Sequence, residues 1–351
     1  MKKTPIRKNK TLADLFKKLK KIPFFGILKK YLISPLKAII TAAGFWKIAC
    51  AVLFAIFFLY YPIGAMRTNK INTDTTIEIT PPSPQSSAVI ETMAYLINRE
   101  INDHFWTPNL PFFFPSYILD NMPNYQLGIM SSLANFSTTF AKKVDRTPEE
   151  DNKFSLLTAS KFINYPGTIW VFSPDNKLTP ATSANSQYRK AHRILGRYNK
   201  SLDQGSKIFA RDSSDLATFL YSINADLSKV TKDLDTHIRE ESSSIFDFKS
   251  DNVFFFNKGK VYANYMILKA LTQDYKDIIL SHNLYPNFVS AIKALEFGLS
   301  FEPTVIRNAE LKSSTAPNHL MYLGYFALKA QNAIQEIITS ITPVKEYPIA
   351  H

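Results

Sequence analysis

Eight residues able to do chemistry crowd into one proline-rich stretch. Asp103, His104, Trp106, Asn109, Asp120, Asn121, Asn124 and Gln126 fall within 24 positions, among Phe112, Phe113, Phe114 and Tyr117. Pro108, Pro111, Pro115 and Pro123 interrupt the stretch, so it reads as an irregular loop. Loops that hold several polar groups and rings together often bind ligands. Planar amides beside aromatic faces suit a glycan. Two carboxylates are the minimum acid–base pair for glycoside cleavage, at a separation of about 5–9.5 Å. The competing use is structural: the rings plug a helical bundle, while Asp120 and the asparagines cap helices and satisfy turns. The structural use is favoured, and no residue is assigned a catalytic role.

Other reactive groups are sparse. Cys50 is the one cysteine and lies in an apolar run, where it reads as packing filler, so the chain after it has neither disulfide nor thiol nucleophile. The six histidines form no i, i+4 pair and no H-E-x-x-H. His237-Ile238-Arg239-Glu240-Glu241 approaches an inverted zincin pattern but has Glu241 where a second histidine is required. His237 continues a helical stripe after Leu234 and reads as a core histidine, so no metal is expected. Motifs of the G-x-S-x-G, G-x-x-x-x-G-K-[ST] and G-x-G-x-x-G types are lacking, and no cofactor is expected. Asp251 and Asn318 read as helix caps, and Asp274 with Asp277 as a solvated face.

The elements that must position this loop are set by one greasy segment. Ile48 to Met66 carries no charge over nineteen positions, about what a helix needs to cross a bilayer core. Trp46 and Lys47 at its head and Tyr60 and Tyr61 near its tail are the side chains favoured at headgroup depth. A cleaved signal peptide is disfavoured by the 47 residues before the run and by the lack of an A-x-A site. A buried helix of a soluble protein is the other reading. Residues 1–47 hold thirteen Lys or Arg against Asp14 alone, a net +12 of the chain's +13. The positive-inside rule therefore places the N-terminus in the cytoplasm and the C-terminal body across the membrane. Confinement of the basicity to the tail also removes electrostatic support for nucleic-acid binding. The tail itself has helical spacing at Leu12, Leu15, Phe16 and Leu19 among lysines. It either lies on anionic lipid or serves only to set topology.

Residues 67–87 are Thr/Ser-rich and end in Pro81, Pro82 and Pro84, which suggests an extended linker. Residues 88–343 read as helical, followed by a short tail at 344–351. Helices are expected over 88–102, 125–144, 147–164, 183–201, 214–241, 258–282, 286–300 and 318–341, with a short strand over 168–172. Leu216, Leu220, Ile223, Leu227, Val230 and Leu234 step by fours and threes. So do Leu320, Leu323, Ala327, Ala330, Ile334 and Ile337. Both are narrow stripes of the kind that form antiparallel seams. The fold class is all-α: a single N-terminal transmembrane helix, then a helical bundle with a proline-rich irregular loop.

Three stretches carry a family likeness. They are Asp251-Asn252-Val253-Phe254-Phe255-Phe256 with Gly259, Tyr262 and Leu268-Lys269-Ala270; Asn318-His319-Leu320; and Trp106-x-Pro108-Asn109 with Leu119-Asp120-Asn121-Met122-Pro123-Asn124. Together, over residues 50 to 340, the chain resembles the bacterial membrane-anchored family grouped as domain of unknown function 2333. The resemblance implies an inner-membrane protein of Gram-negative bacteria with a periplasmic domain, and it implies no activity. The leading reading is a non-catalytic binding or scaffold module of the envelope. Its partners would be membrane lipid through the anchor, and an envelope protein or a second copy through the body. The alternative is an enzyme acting on envelope glycan or peptidoglycan with carboxylates of the 103–126 loop.

Overall fold

A computed structural model describes residues 30, 34–145, 154–171, 181–241, 249–303, 305–310 and 317–342. Among these, ten α-helices form and no strand does. The chain divides between Ile63 and Gly64. The first unit, where described, is helix α1 (Ser34–Thr68) up to Ile63; Gly44, at φ 71°, joins its two helical pieces in a conformation that glycine tolerates. Lys47–Thr68 of α1 is 22 residues long and apolar enough to span a membrane, and only 6% of it is buried. Val52, Phe54, Phe57 and Leu59 are among the side chains it exposes. A soluble core helix would hide them. Lys47 is exposed, and the Tyr60 and Tyr61 rings meet edge to face at 5.4 Å. Cys50 is exposed on this helix rather than packed. The Trp46 side chain, and the basic stretch with its expected amphipathic helix, lie outside the described residues.

The second unit contains α2 (Ala88–Asn98), α3 (Asn121–Val144), α4 (Leu156–Ile163), α5 (Ala184–Asp203), α6 (Ser213–Glu241), α7 (Ser250–Asp274), α8 (Lys276–Ser281), α9 (Tyr285–Leu299) and α10 (His319–Ile341). Its hub is α7, in which every residue from Asn257 to Leu268 is buried. It packs on α3 most extensively, and also on α6, α9 and α2. The two sequence stripes do form a seam: α6 lies on α10, and all twelve stripe residues are buried. The α3–α7 crossing is closer than side chains allow. Gly128 of α3 faces the backbone of Phe256, and Gly259 of α7 faces the backbone of Tyr125, each at a spot where a methyl group would overlap a carbonyl oxygen.

Several boundaries differ from the sequence reading, each for a physical reason. Helix α3 begins at Asn121 and contains Pro123 in its first turn, where a missing N–H breaks no hydrogen bond. Helix α7 begins at Ser250, so Asp251 lies inside the first turn instead of capping it. Asn318 does cap: its Oδ1 accepts from the Met321 N–H at 2.9 Å. Residues 168–171 form no strand; the Ile169 carbonyl takes the Ala184 N–H and the Asn109 amide, and the Val171 carbonyl takes the Ala181 N–H. The helix start at Thr147 and the 344–351 tail lie outside the described residues. The described helix nearest that start is α4, capped by the Ser155 hydroxyl accepting from Thr158 N–H.

Asp274 is not on a solvated face. It is buried at the end of α7 and accepts from the Ser87 hydroxyl at 2.6 Å and from the N–H groups of Ala88 and Val89. A carboxylate thus sits on the positive end of α2, as the helix dipole favours.

Candidate functional site

The proline-rich loop does not gather its eight polar residues into one place. Trp106 is fully buried: its indole N–H donates to Gly167 O at 2.9 Å and its ring meets Tyr188 edge-on. Asn109 donates to Ile169 O and to Asn185 Oδ1. These two pin the loop to the 165–171 segment and α5. At the other end, Asp120 caps α3 through the Asn121 N–H, and Asn124 donates to Asp120 O and to Asn252 Oδ1 of α7. Asp103 is exposed. Of the eight, Asn124 alone is among the residues lining the described cavities, in a cleft of about 520 Å³ with Asp233, His237, Glu240, Asn252 and Asn257. Among the described residues, no three His, Cys, Asp or Glu side chains converge as metal ligands.

His104 and Gln126 instead join a buried charged centre that the loop covers. The chain after α2 runs through a π-helical turn, Arg99–Asp103, which brings Arg99 and Glu100 inward. Glu100 is fully buried and Arg99 only 3% exposed. Arg99 Nε donates to Glu100 Oε1 at 2.8 Å, and Nη1 donates to the Tyr262 hydroxyl at 2.7 Å with the guanidinium over the Tyr262 ring. His104 Nδ1 lies 3.4 Å from Glu100 Oε2. Gln126 closes the group. Its Nε2 reaches the Glu100 carboxylate, Glu100 O and Phe105 O, and its Oε1 accepts both the N–H and the hydroxyl of Thr107. Phe105, whose carbonyl takes that bond, sits at φ 68°, a left-handed conformation costly for a bulky side chain. Burial pushes the Glu100 carboxyl up, but the His104 hydrogen bond and the Arg99 charge outweigh it and leave the group below the usual range.

Over this centre lies the segment whose composition suggested a linker. Tyr125 donates to Asn72 O, Tyr262 to Asp74 O, Tyr265 to Thr75 O, and Lys269 Nζ to Thr75 O and Ile77 O. Residues 72–77 are therefore strapped to α3 and α7 by their own carbonyls. Burial pushes the Tyr262 and Tyr265 phenols up to about 12, which keeps them protonated as donors.

A second charged group lies deeper. Asp226 of α6 meets Lys260 Nζ of α7 at 3.1 Å and accepts from Ser132, Asn135 and Asn264. It ties α3, α6 and α7 through one carboxylate. Sequence reasoning missed Glu100, although a signal exists: it continues the stripe Val89, Met93, Leu96, Ile97, and a charge in phase with an apolar stripe needs a buried partner. Lys260 and Asp226 left no such mark. Apart from Arg99 Nη2, which meets Glu100 Oε1 only as an ion pair at 2.7 Å, the polar atoms of both groups are occupied by one another and by backbone. What the arrangement does chemically is hold helices and strap in register.

Lys258 yields a pH test. It is 2% exposed, and its ammonium donates to Phe301 O at 2.9 Å. Burial, opposed only by Glu302, brings its pKa down to about 8. The unfolded chain keeps the lysine charged to about pH 10.4, so between these values it binds more protons and stability rises with pH. Against Lys258→Met, the wild type should gain about 3 kcal/mol between pH 7.5 and 10.5. Paired urea melts check this; a constant difference would mean the ammonium is not desolvated.

The class defined by these features is a helical body, built on buried polar centres, behind one apolar helix that could anchor it in a membrane. Residues 87–246 match the family model described as an uncharacterized protein conserved in bacteria, domain of unknown function 2333. The likeness read in the sequence is borne out over that stretch, which includes the Trp106 and Asp120 loop; the Asp251 and Asn318 motifs fall beyond it. No curated protein and no solved structure matches the chain.

Proposed function

We propose that this chain is a single-pass protein of the bacterial inner membrane. Its N-terminus is cytoplasmic, its helical body periplasmic, and the body serves as a non-catalytic binding or scaffold module of the envelope. The observation that carries the reading is charge asymmetry: a net +12 precedes the apolar helix and the rest of the chain holds only +1. The recruitment of His104, Asp120, Asn124 and Gln126 into caps and buried networks supports a binding role over a catalytic one. Exposed Phe297, Met321, Tyr325 and Leu328 on α9 and α10 add apolar surface of the sort that partner proteins cover.

Fusion of reporters at residue 351 tests the topology. Alkaline phosphatase should be active there and a cytosol-dependent fluorescent protein dark. The opposite pattern overturns the placement. Crosslinking in native membranes followed by detergent extraction tests the scaffold role; a body that is monomeric and partner-free at native levels would count against it.

A further inference from the structure

The loop that covers Glu100 has an outer surface with its own chemistry. From Phe105 to Leu119 it carries no charged residue over fifteen positions. Phe112 is 69% exposed, Phe113 48%, Tyr117 58% and Ile118 56%. Four large apolar side chains in seven residues are a costly surface in water, at about 25 cal/mol for each Å² of apolar area. Part of the backbone beneath them is paired locally. Leu110 N–H bonds Thr107 O, Phe114 N–H bonds Pro111 O, Tyr117 N–H bonds Phe114 O and Leu119 N–H bonds Ser116 O. Short turns studded with rings and prolines suit the headgroup region, where aromatic side chains are favoured and remaining peptide groups still meet water.

Two observations within the second unit say which surface covers this one. That unit begins with the last turn of α1, Gly64–Thr68, which is also the end of the apolar span. Pro115 packs on Gly64 so closely that a methyl group there would collide with its ring. The aromatic loop is therefore seated on the final turn of the span. The tether is also short: Tyr125 fixes Asn72 O only four residues after Thr68, a reach of at most about 14 Å.

We propose that Phe112, Phe113, Tyr117 and Ile118 insert into the interfacial layer of the bilayer that holds α1, making this loop a second membrane contact that fixes the body against the lipid surface. The inference rests on the anchoring of α1 and adds to it. Ile208 supplies a reference position. It is 85% exposed, but its neighbour Phe209 packs on Tyr275 at the far end of α7, about 20 Å along the helix from Tyr262.

The test uses the full chain with Cys50→Ser, reconstituted in phosphatidylethanolamine–phosphatidylglycerol vesicles with and without brominated acyl chains. Single cysteines replace Phe112, Ile118, Val52 or Ile208 and carry an environment-sensitive fluorophore. Labels at 112, 118 and 52 should be quenched at least twofold by brominated lipid, and the label at 208 should not. Quenching at 52 without quenching at 112 and 118 overturns the inference while the anchor stands. That result includes the case in which the loop labels are shielded by a partner protein or a second copy. No quenching at 52 overturns the anchor and the inference with it. Equal quenching at 208 would mean indiscriminate adsorption and also overturns it.

Discussion

Replacing Gly259 with alanine should lower the thermal midpoint of the helical body by about 6–12 °C, the shift that a loss of about 3 kcal/mol produces in a protein of this size. The added methyl would fall on the carbonyl of Tyr125, and the reciprocal Gly128→Ala would strike the carbonyl of Phe256. A side-chain tip can rotate away from such a clash. A helical carbonyl cannot, so α3 and α7 must separate. Separation loosens what is built around the crossing: the Lys260 ammonium on Asp226 and the Ser132 hydroxyl on Lys260 O on one side, Tyr125 on Asn72 O on the other. The double variant should cost less than the sum of the single ones, because one separation relieves both clashes. Gly196→Ala is the opposing control. Gly196 is exposed in α5 with nothing near its absent Cβ, so alanine should raise stability by about 0.5–1 kcal/mol. Circular dichroism melts of the full chain in detergent read all four. An unchanged midpoint for Gly259→Ala would show that the helices do not touch at these glycines.

The same crossing shows why some of the fold is legible in the sequence and some is not. The α6–α10 seam can be read because each helix buries one face and exposes the rest, so its stripe stands out against polar residues. Helix α7 is buried on every side from Asn257 to Leu268, with Lys258, Lys260 and Asn264 inside. It has no contrasting face, and its start reads eight residues late. Glycine at 128 and 259 looks like weak helix propensity until the facing backbone is seen. The segment at 72–77 reads as a free linker because its ties run through main-chain carbonyls, which every residue possesses. In the candidate loop, Asn109 is tied to backbone and Asp120 caps α3 as the structural use expects, but Phe112, Phe113 and Tyr117, the rings expected to plug the bundle, are exposed. The centre this loop covers depends on Arg99 and Glu100, whose inward turn follows from a π-helical step that no short-range pattern announces.

That centre should be the second most sensitive point in the molecule. Glu100→Gln keeps the shape and most hydrogen-bonding capacity but leaves the Arg99 guanidinium buried without its counter-charge, at a cost of about 3–5 kcal/mol. Arg99→Met combined with Glu100→Leu removes both charges and should recover most of that loss, since a buried pair contributes little net stability over a well-packed apolar one. The sign of the pH dependence follows from the carboxyl being held below its unfolded value of 4.5. Its contribution is complete above that value and disappears as the pH falls through the lower folded one. The stability gap between wild type and Glu100→Gln should therefore be widest at pH 6–7 and close under acid. Because Gln126 Nε2 donates to both the Glu100 carboxylate and the Phe105 carbonyl, loss of the pair should also loosen the loop over it, and protease cleavage between Phe105 and Leu119 should accelerate in Glu100→Gln at neutral pH. A gap that stays constant from pH 7 to pH 3, with unchanged cleavage, would mean that Glu100 is neutral in the folded protein and that the loop is held by its rings alone.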